Sequence, residues 1–155
     1  MPNNVVKLHY DIDGENFTIA GQASSNIKKV LKQLGVDPAI IRKAAISMYE
    51  GEINTIIHGK GGGADIYISP EQIRIVFTDH GPGIADIEKA MQEGFSTASD
   101  EARELGFGAG MGLPNMKKYS DKLNIESTLG EGTQVEIIIN IHWCFRTRLL
   151  TGLVV

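Results

Sequence analysis

The chain has a single cysteine, Cys144, among 155 residues. No disulfide can close within it, and its own thiolates cannot build a zinc site. Its four histidines, His9, His58, His80 and His142, are widely separated, which argues against a histidine metal cluster. Basic residues are outnumbered: 15 Lys and Arg against 19 Asp and Glu give a formal net charge of −4. That balance disfavours a protein held to nucleic acid by phosphate neutralisation. No apolar run approaches the roughly 20 residues that span a bilayer, and Met1–Tyr10 lacks a signal-peptide pattern. The expectation is a cytoplasmic protein that engages neither nucleic acid nor membrane. There is no internal repeat and no linker. The length suits one domain of about 100–200 residues and allows a core without disulfide or metal.

Glycine is what the chain has in excess. Its 18 glycines make up about 12% of the residues, against roughly 7% in average usage. Thirteen fall between Gly59 and Gly132, with no period of three and no low-complexity sequence between them. They come in small groups separating periodic segments, the pattern of turns or of close backbone approach to a ligand.

Alternation over Val5–Ile12 predicts a strand, and Asp13-Gly14 a turn into a second strand at Asn16–Ala20, making a hairpin. Ser24 or Ser25 is the expected cap of a helix carrying Ile27, Val30, Leu31 and Leu34 on one face and stopped by Gly35. Asp37 as N-cap and Pro38 in the first turn open a longer helix that continues to about Ile57. Strands are expected at Ala64–Ser69 and Ile73–Thr78, a short helix at Asp86–Gln92, and a loop over Gly94–Gly112. A helix is expected from about Pro114 to Tyr119, then strands at Leu123–Thr128 and Thr133–Ile141. This order predicts an α+β fold: a two-layer α/β sandwich, with one mixed, mostly antiparallel sheet and helices on one face.

On a wheel of roughly 100° per residue, Ile41, Ala45, Met48, Ile56, Ile53, Ile46 and Ile57 form the core face of the long helix. Glu50, Asn54 and His58 stack at i, i+4 and i+8 on another side, where a solvated face is the plain reading and a polar site the sharper one. Glu52 falls inside the apolar stripe, where a carboxylate costs several kcal/mol unless paired. It needs a partner, or else that patch is not buried in the monomer.

The strand ending at Thr78 runs directly into Asp79-His80-Gly81-Pro82-Gly83. This is either an ordinary turn or a ligand site, with glycines admitting a planar group and the carboxylate accepting from an exocyclic amine. Gly106-Phe107-Gly108-Ala109-Gly110-Met111-Gly112-Leu113 leads into a helix and can present a row of backbone N–H groups to a phosphate chain. No Lys-Ser/Thr follows, so it is not a Walker A loop. Gly59-Lys60-Gly61-Gly62-Gly63 reads as a flexible turn. The segment Ala85–Leu105 is acidic and reads as a solvated loop or as a mobile lid, with Arg103, Lys117 and Lys118 the candidate cations for a terminal phosphate.

Together these segments resemble the Bergerat-fold ATPase domain shared by gyrase-type, heat-shock-chaperone, histidine-kinase and mismatch-repair proteins. The matching boxes are Glu50-x-x-x-Asn54, Asp79-His80-Gly81-Pro82-Gly83, Gly108-Ala109-Gly110-Met111-Gly112-Leu113 and Gly130-Glu131-Gly132-Thr133, in order across residues 24–140. Within that family the chain is most similar to the small anti-sigma-factor serine/threonine kinases, because an acid precedes the asparagine by four residues and the helix ends in His-Gly.

The resemblance implies ATP and Mg²⁺ as ligands. Asn54 would ligate Mg²⁺, Glu50 would act as general base, and Asp79 would hold the adenine amino group with Gly81 and Gly83 beneath the ring. Gly108, Gly110 and Gly112, with Met111 and Leu113, would bind the phosphates, Thr133 would contact water beside the adenine, and His58 would serve the site or cap its helix. It also implies a sigma factor and its antagonist as protein partners and a homodimer. A nucleotide-gated binding module or ATPase without protein substrate is the alternative. Residues 1–141 are expected to form this single domain, and 142–155 an extension that docks on the sheet or on a second subunit, or has no function.

Overall fold

The computed structural model describes residues 4–96, 98–100, 104 and 110–142. Five strands, β1 (Val6–Asp13), β2 (Gly61–Ile68), β3 (Gln72–Asp79), β4 (Lys122–Thr128) and β5 (Gly132–Asn140), form one sheet in the order β1-β2-β3-β5-β4. All four pairings are antiparallel. The helices are α1 (Gln22–Gln33), α2 (Pro38–Ile57), a single turn α3 (Ile87–Ala90) and α4 (Gly112–Lys118). α2 packs on α1, on α4 and on the sheet.

Strand alternation produces this arrangement. Leu8, Ile66, Ile75, Ile137 and Leu123 are register partners across all five strands, and the three central isoleucines are fully buried. Burying each such side chain stabilises the fold by about 1.5–3 kcal/mol. The intervening residues face the other way and set a polar cluster beside Val76 and Ile138: Arg74 Nε donates to Glu136 Oε2 at 2.6 Å, and Asn124 Nδ2 donates to Glu136 Oε1 at 2.8 Å. Asn124 and Arg74 therefore hold the Glu136 carboxyl below its usual range.

Two expectations fail in the first half. Asn16–Ala20 is not a strand: Phe17–Ile19 form a 3₁₀ turn, begun by the Asn16 side chain accepting from Thr18 N. β1 instead pairs with β2, Asp13 opposite Gly61. Consequently Gly61–Gly63 are strand residues and not a loose turn. Their backbone is paired with β1, and Gly62 and Gly63 also with β3. Tertiary pairing overrides the weak strand preference of glycine here.

α2 starts as expected, with Asp37 Oδ1 accepting from Ala39 N at 2.8 Å and Pro38 in the first position. Its burial is wider than the single face expected. Ser47, Gly51 and Thr55 are buried alongside Ile41 and Met48, while Ala45, Ile46 and Ile57 are only half-buried. Gly51 is the close contact with the sheet, since a Cβ there would lie 2.1 Å from the Phe77 ring.

α1 begins at Gln22, earlier than Ser24 or Ser25 would set it, after Gly21 at φ +93°. Gly21 has no side chain to cap with, and the cap comes from Glu52 of α2. Its Oε1 accepts from Ala23 N at 3.4 Å and its Oε2 from Ser24 N at 3.3 Å. The buried carboxylate thus meets the free N–H groups and positive dipole end of α1, and Ser24 Oγ donates back to Ala45 O at 2.9 Å.

Burial raises the Glu52 pKa, and the backbone donors at Ser24 and Ala23 only partly offset it. The folded state therefore holds this proton more tightly than the unfolded chain. Stability from Glu52 is fully present below its ordinary value of 4.5 and is lost as pH rises through the raised folded value. Thermal unfolding of the parent and Glu52→Gln from pH 4 to pH 7 measures this. The parent should lose stability relative to the variant across that window; parallel curves would exclude the titration.

Candidate functional site

α2 carries Glu50, Asn54 and His58 on one side, one turn apart, and β3 ends at Asp79 near the C-terminal end of α2. The chain can come this close because Gly59 has no side chain: a Cβ there would sit 2.5 Å from Asp79 Cβ and 2.8 Å from Oδ2. Gly81 N donates to Asp79 Oδ1 at 2.9 Å and sets the carboxylate. Beyond it, Gly83 has φ +79°, and a Cβ there would lie 2.6 Å from the Thr128 carbonyl oxygen.

Between α2, α3, α4 and the ends of β3 and β5 lies a cavity of about 940 Å³. Ten of the sequence-predicted residues line it: Glu50, Asn54, His58, Asp79, Gly83, Gly110, Met111, Gly112, Leu113 and Thr133. Gly81 does not; it stands behind Asp79, where a Cβ would meet the His58 carbonyl at 2.8 Å, so its contribution is to orient the carboxylate. Gly108 lies outside the described residues, as do Arg103 and the tail from residue 143. A second, more open cleft of about 980 Å³ between β1, α1 and α2 meets the first at Tyr49 and Glu50.

The cavity has apolar walls, including Ile53, Ile84 and Val135, and a few convergent polar groups. That is the composition of a small-molecule site. Asp79 and Thr133 are register partners on β3 and β5. Thr133 Oγ1 is 2.8 Å from Ser127 Oγ, which accepts from Ile84 N at 2.7 Å, so two hydroxyls tie the start of β5 to the chain just after Gly83. Burial lowers the His58 pKa, and the negative charge of Asp79 opposes this only in part. Its imidazole is therefore neutral at pH 7.

The segment after Gly83 is a wall of the cavity: Ala85, Asp86, Lys89 and Phe95 line it, and Gly94 N donates to Gly110 O at 3.0 Å. Lys117 and Lys118, expected as cations for a phosphate, are exposed and do not line it. Lys60 and Lys89 do. Neither stood out in sequence: Lys60 sits in a glycine run, and Lys89 lies among acids. Asn115 was also missed. Its Nδ2 donates to Glu50 Oε1 at 3.0 Å, and its only signal is a polar residue in the first turn of the helix after the glycine segment.

Residues 25–142 match the family described as histidine kinase-, DNA gyrase B-, and HSP90-like ATPases. The chain is 38% identical over 131 residues to an anti-sigma F factor of Thermoanaerobacter sp. (strain X514), covering 79% of this chain and 88% of that protein. It is 32% identical over 117 residues to the serine/threonine-protein kinase RsbT of Bacillus subtilis (strain 168), covering 72% and 80%. The crystal structure of the RsbU and RsbW domains of a Mycobacterium tuberculosis protein superposes with a TM-score of 0.61 at 16% identity, covering 88% of this chain and 32% of that one. This last likeness concerns the fold.

Gly112 offers a test of the cavity that spares the fold. A Cβ there would lie 2.8 Å from Asn54 Oδ1. Gly112→Ala should weaken ATP binding by about 10-fold or more, equivalent to about 1.4 kcal/mol, with the thermal midpoint nearly unchanged. Calorimetric titration together with a melt checks this. Unchanged affinity would remove Gly112 and Asn54 from the ligand's surroundings.

Proposed function

The chain belongs to the histidine kinase-, DNA gyrase B-, and HSP90-like ATPase family, and from that premise we propose that it is an anti-sigma-type serine/threonine protein kinase. It transfers the γ-phosphate of ATP to a serine of a partner protein. The observation that carries this reading is the position of Glu50 and Asn54 one turn apart on α2, both lining the cavity that Asp79 closes at the end of β3.

Asp79 accepts from the adenine amino group, its carboxylate oriented by Gly81 N–H, and Thr133 beside it holds water next to the ring. Gly108, Gly110 and Gly112 donate backbone N–H groups to the phosphates, in the manner of an anion nest. His58, neutral, lies at the end of α2 as a hydrogen-bonding group. The Asn54 side-chain oxygen fits Mg²⁺: it is a hard ligand, and Gly112 leaves open the space that a Cβ would fill. Asn54 would hold the ion through this oxygen, a ligand type that suits Mg²⁺. When bound, Mg²⁺ neutralises phosphate charge. Glu50 takes the proton from the acceptor hydroxyl as general base.

A sigma factor is one protein partner in this reading, supported by the name of the anti-sigma F factor relatives, and an antagonist protein is the phosphoacceptor. Residues 1–141 constitute the ATP-binding domain, a homodimer is its assembly, and the cytoplasm, where ATP is supplied, is its setting. Among the described residues no helix is long and apolar enough to cross a membrane.

Incubation with γ-labelled ATP, Mg²⁺ and candidate antagonists tests the reading. Label should appear on an antagonist serine. Glu50→Ala should keep ATP binding and lose about 10²–10⁴ in transfer rate, while Asn54→Ala should lose binding. Phosphate release with no labelled protein would instead indicate an ATPase or a nucleotide-gated binding module.

A further inference from the structure

We propose that Asn115 is a positioning residue for Glu50, and that through it α4 ties the orientation of the base to the glycine segment that binds phosphate. This rests on the reading of Glu50 as general base. Two of the contacts between α4 and α2 involve the site. Gly112 abuts the Asn54 amide, and Asn115 Nδ2 donates to Glu50 Oε1 at 3.0 Å. The order is reversed along the two helices: the earlier residue of α4 meets the later residue of α2. Spacings of i, i+3 on α4 and i, i+4 on α2 keep both contacts on facing sides.

Packing does not explain Asn115. Leu113 and Met116 are the buried residues of α4, whereas Asn115 is half-buried and its amide is spent on Glu50. A glutamate on a helix side has several rotamers. A hydrogen bond to a charged acceptor selects one. With Oε1 held, Oε2 is directed to the acceptor. In the transfer step the acceptor O–H proton passes to Oε2 and the acceptor oxygen bonds to the γ-phosphorus. The bond from that phosphorus to the bridging β–γ oxygen then breaks, its electron pair leaving on ADP. α4 follows directly on Gly110 and Met111, which line the cavity, and Gly110 O accepts from Gly94 N, beside the lining residue Phe95. A shift of the phosphate-binding backbone therefore moves Asn115 and Gly112 together.

The test is a double-mutant cycle of Asn115→Ala and Glu50→Ala. It is read as phosphate release from ATP·Mg²⁺, with water as acceptor, and as thermal midpoints of the nucleotide-free proteins. Asn115→Ala should lower kcat about 10-fold or more, leave the KM for ATP within about 2-fold, and change kcat by less than about 2-fold once Glu50 is alanine. Without nucleotide it should lower the midpoint by about 2–4 °C in the parent and hardly at all in the Glu50→Ala background. Asn115→Asp sets a second carboxyl against Glu50. The pair can work only while it holds one proton, so the variant's kcat should fall as pH rises through the range where the parent stays active. Equal losses in both backgrounds, or a pH profile scaled but unmoved, would overturn the positioning role and leave Glu50 as base intact. Parental turnover in Glu50→Ala would instead refute the base itself, and the positioning role with it.

Discussion

The close approach of α2 to the end of β3 is the constraint from which the site follows. Two glycines permit it. Gly51 lets the middle of the helix settle on the Phe77 ring, and Gly59 lets the chain beyond the helix pass against Asp79. A methyl group at either position would overlap atoms at distances that side chains do not reach. With the helix held this low on the sheet, one stripe of α2 is spent on the core and the adjoining stripe, Glu50 to His58, overlooks the strand end where Asp79 lies. The polar constellation is thus a consequence of how deeply the helix is seated, and its spacing is that of the helix itself.

Two carboxylates on that helix show how environment divides roles. Glu50 and Glu52 are separated by one residue, which puts them about 200° apart around the axis. Glu52 is buried and meets the opening N–H groups of α1, replacing the side-chain cap that Gly21 lacks. Glu50 faces the cavity and takes one hydrogen bond from Asn115. The first joins two helices; the second is available for chemistry. The family's ATP site is therefore supported on both sides of α2: by α1 through Glu52, and by α4 through Gly112 and Asn115.

Much of this was legible in the sequence because it depends on local period. The start of α2 at Asp37-Pro38, its i, i+4, i+8 polar stack and the alternation of β3 and β5 are local signals, and so is Asp79 at a strand end. The errors came where a distant segment decides the outcome. Asn16–Ala20 has the pattern of a hairpin's return strand, yet β1 pairs with Gly61–Ile68, more than forty residues on, its end Asp11–Asp13 opposite the three glycines. Those glycines looked like a turn because glycine has little strand preference, but pairing with β1 gives their backbone its hydrogen bonds. Glu52 stood out as misplaced from the wheel alone, while its partner, the start of α1, could only be seen in three dimensions. In sequence Gly81 suggests a floor for the ring, whereas in the fold its N–H is turned to Asp79. Lys60, Lys89 and Asn115 carry no local signature, since what draws them in is the shape of the cavity.

The proposed function requires this cavity to hold an adenine ring through the Asp79 carboxylate. Calorimetric titration of ATP·Mg²⁺ into the parent and into Asp79→Asn measures it most directly, because the substitution keeps the shape and removes one acceptor. The variant should lose affinity by about 10-fold or more, the scale of a lost hydrogen bond to a charged group, with an unchanged thermal midpoint. Equal affinity in the two proteins would contradict it.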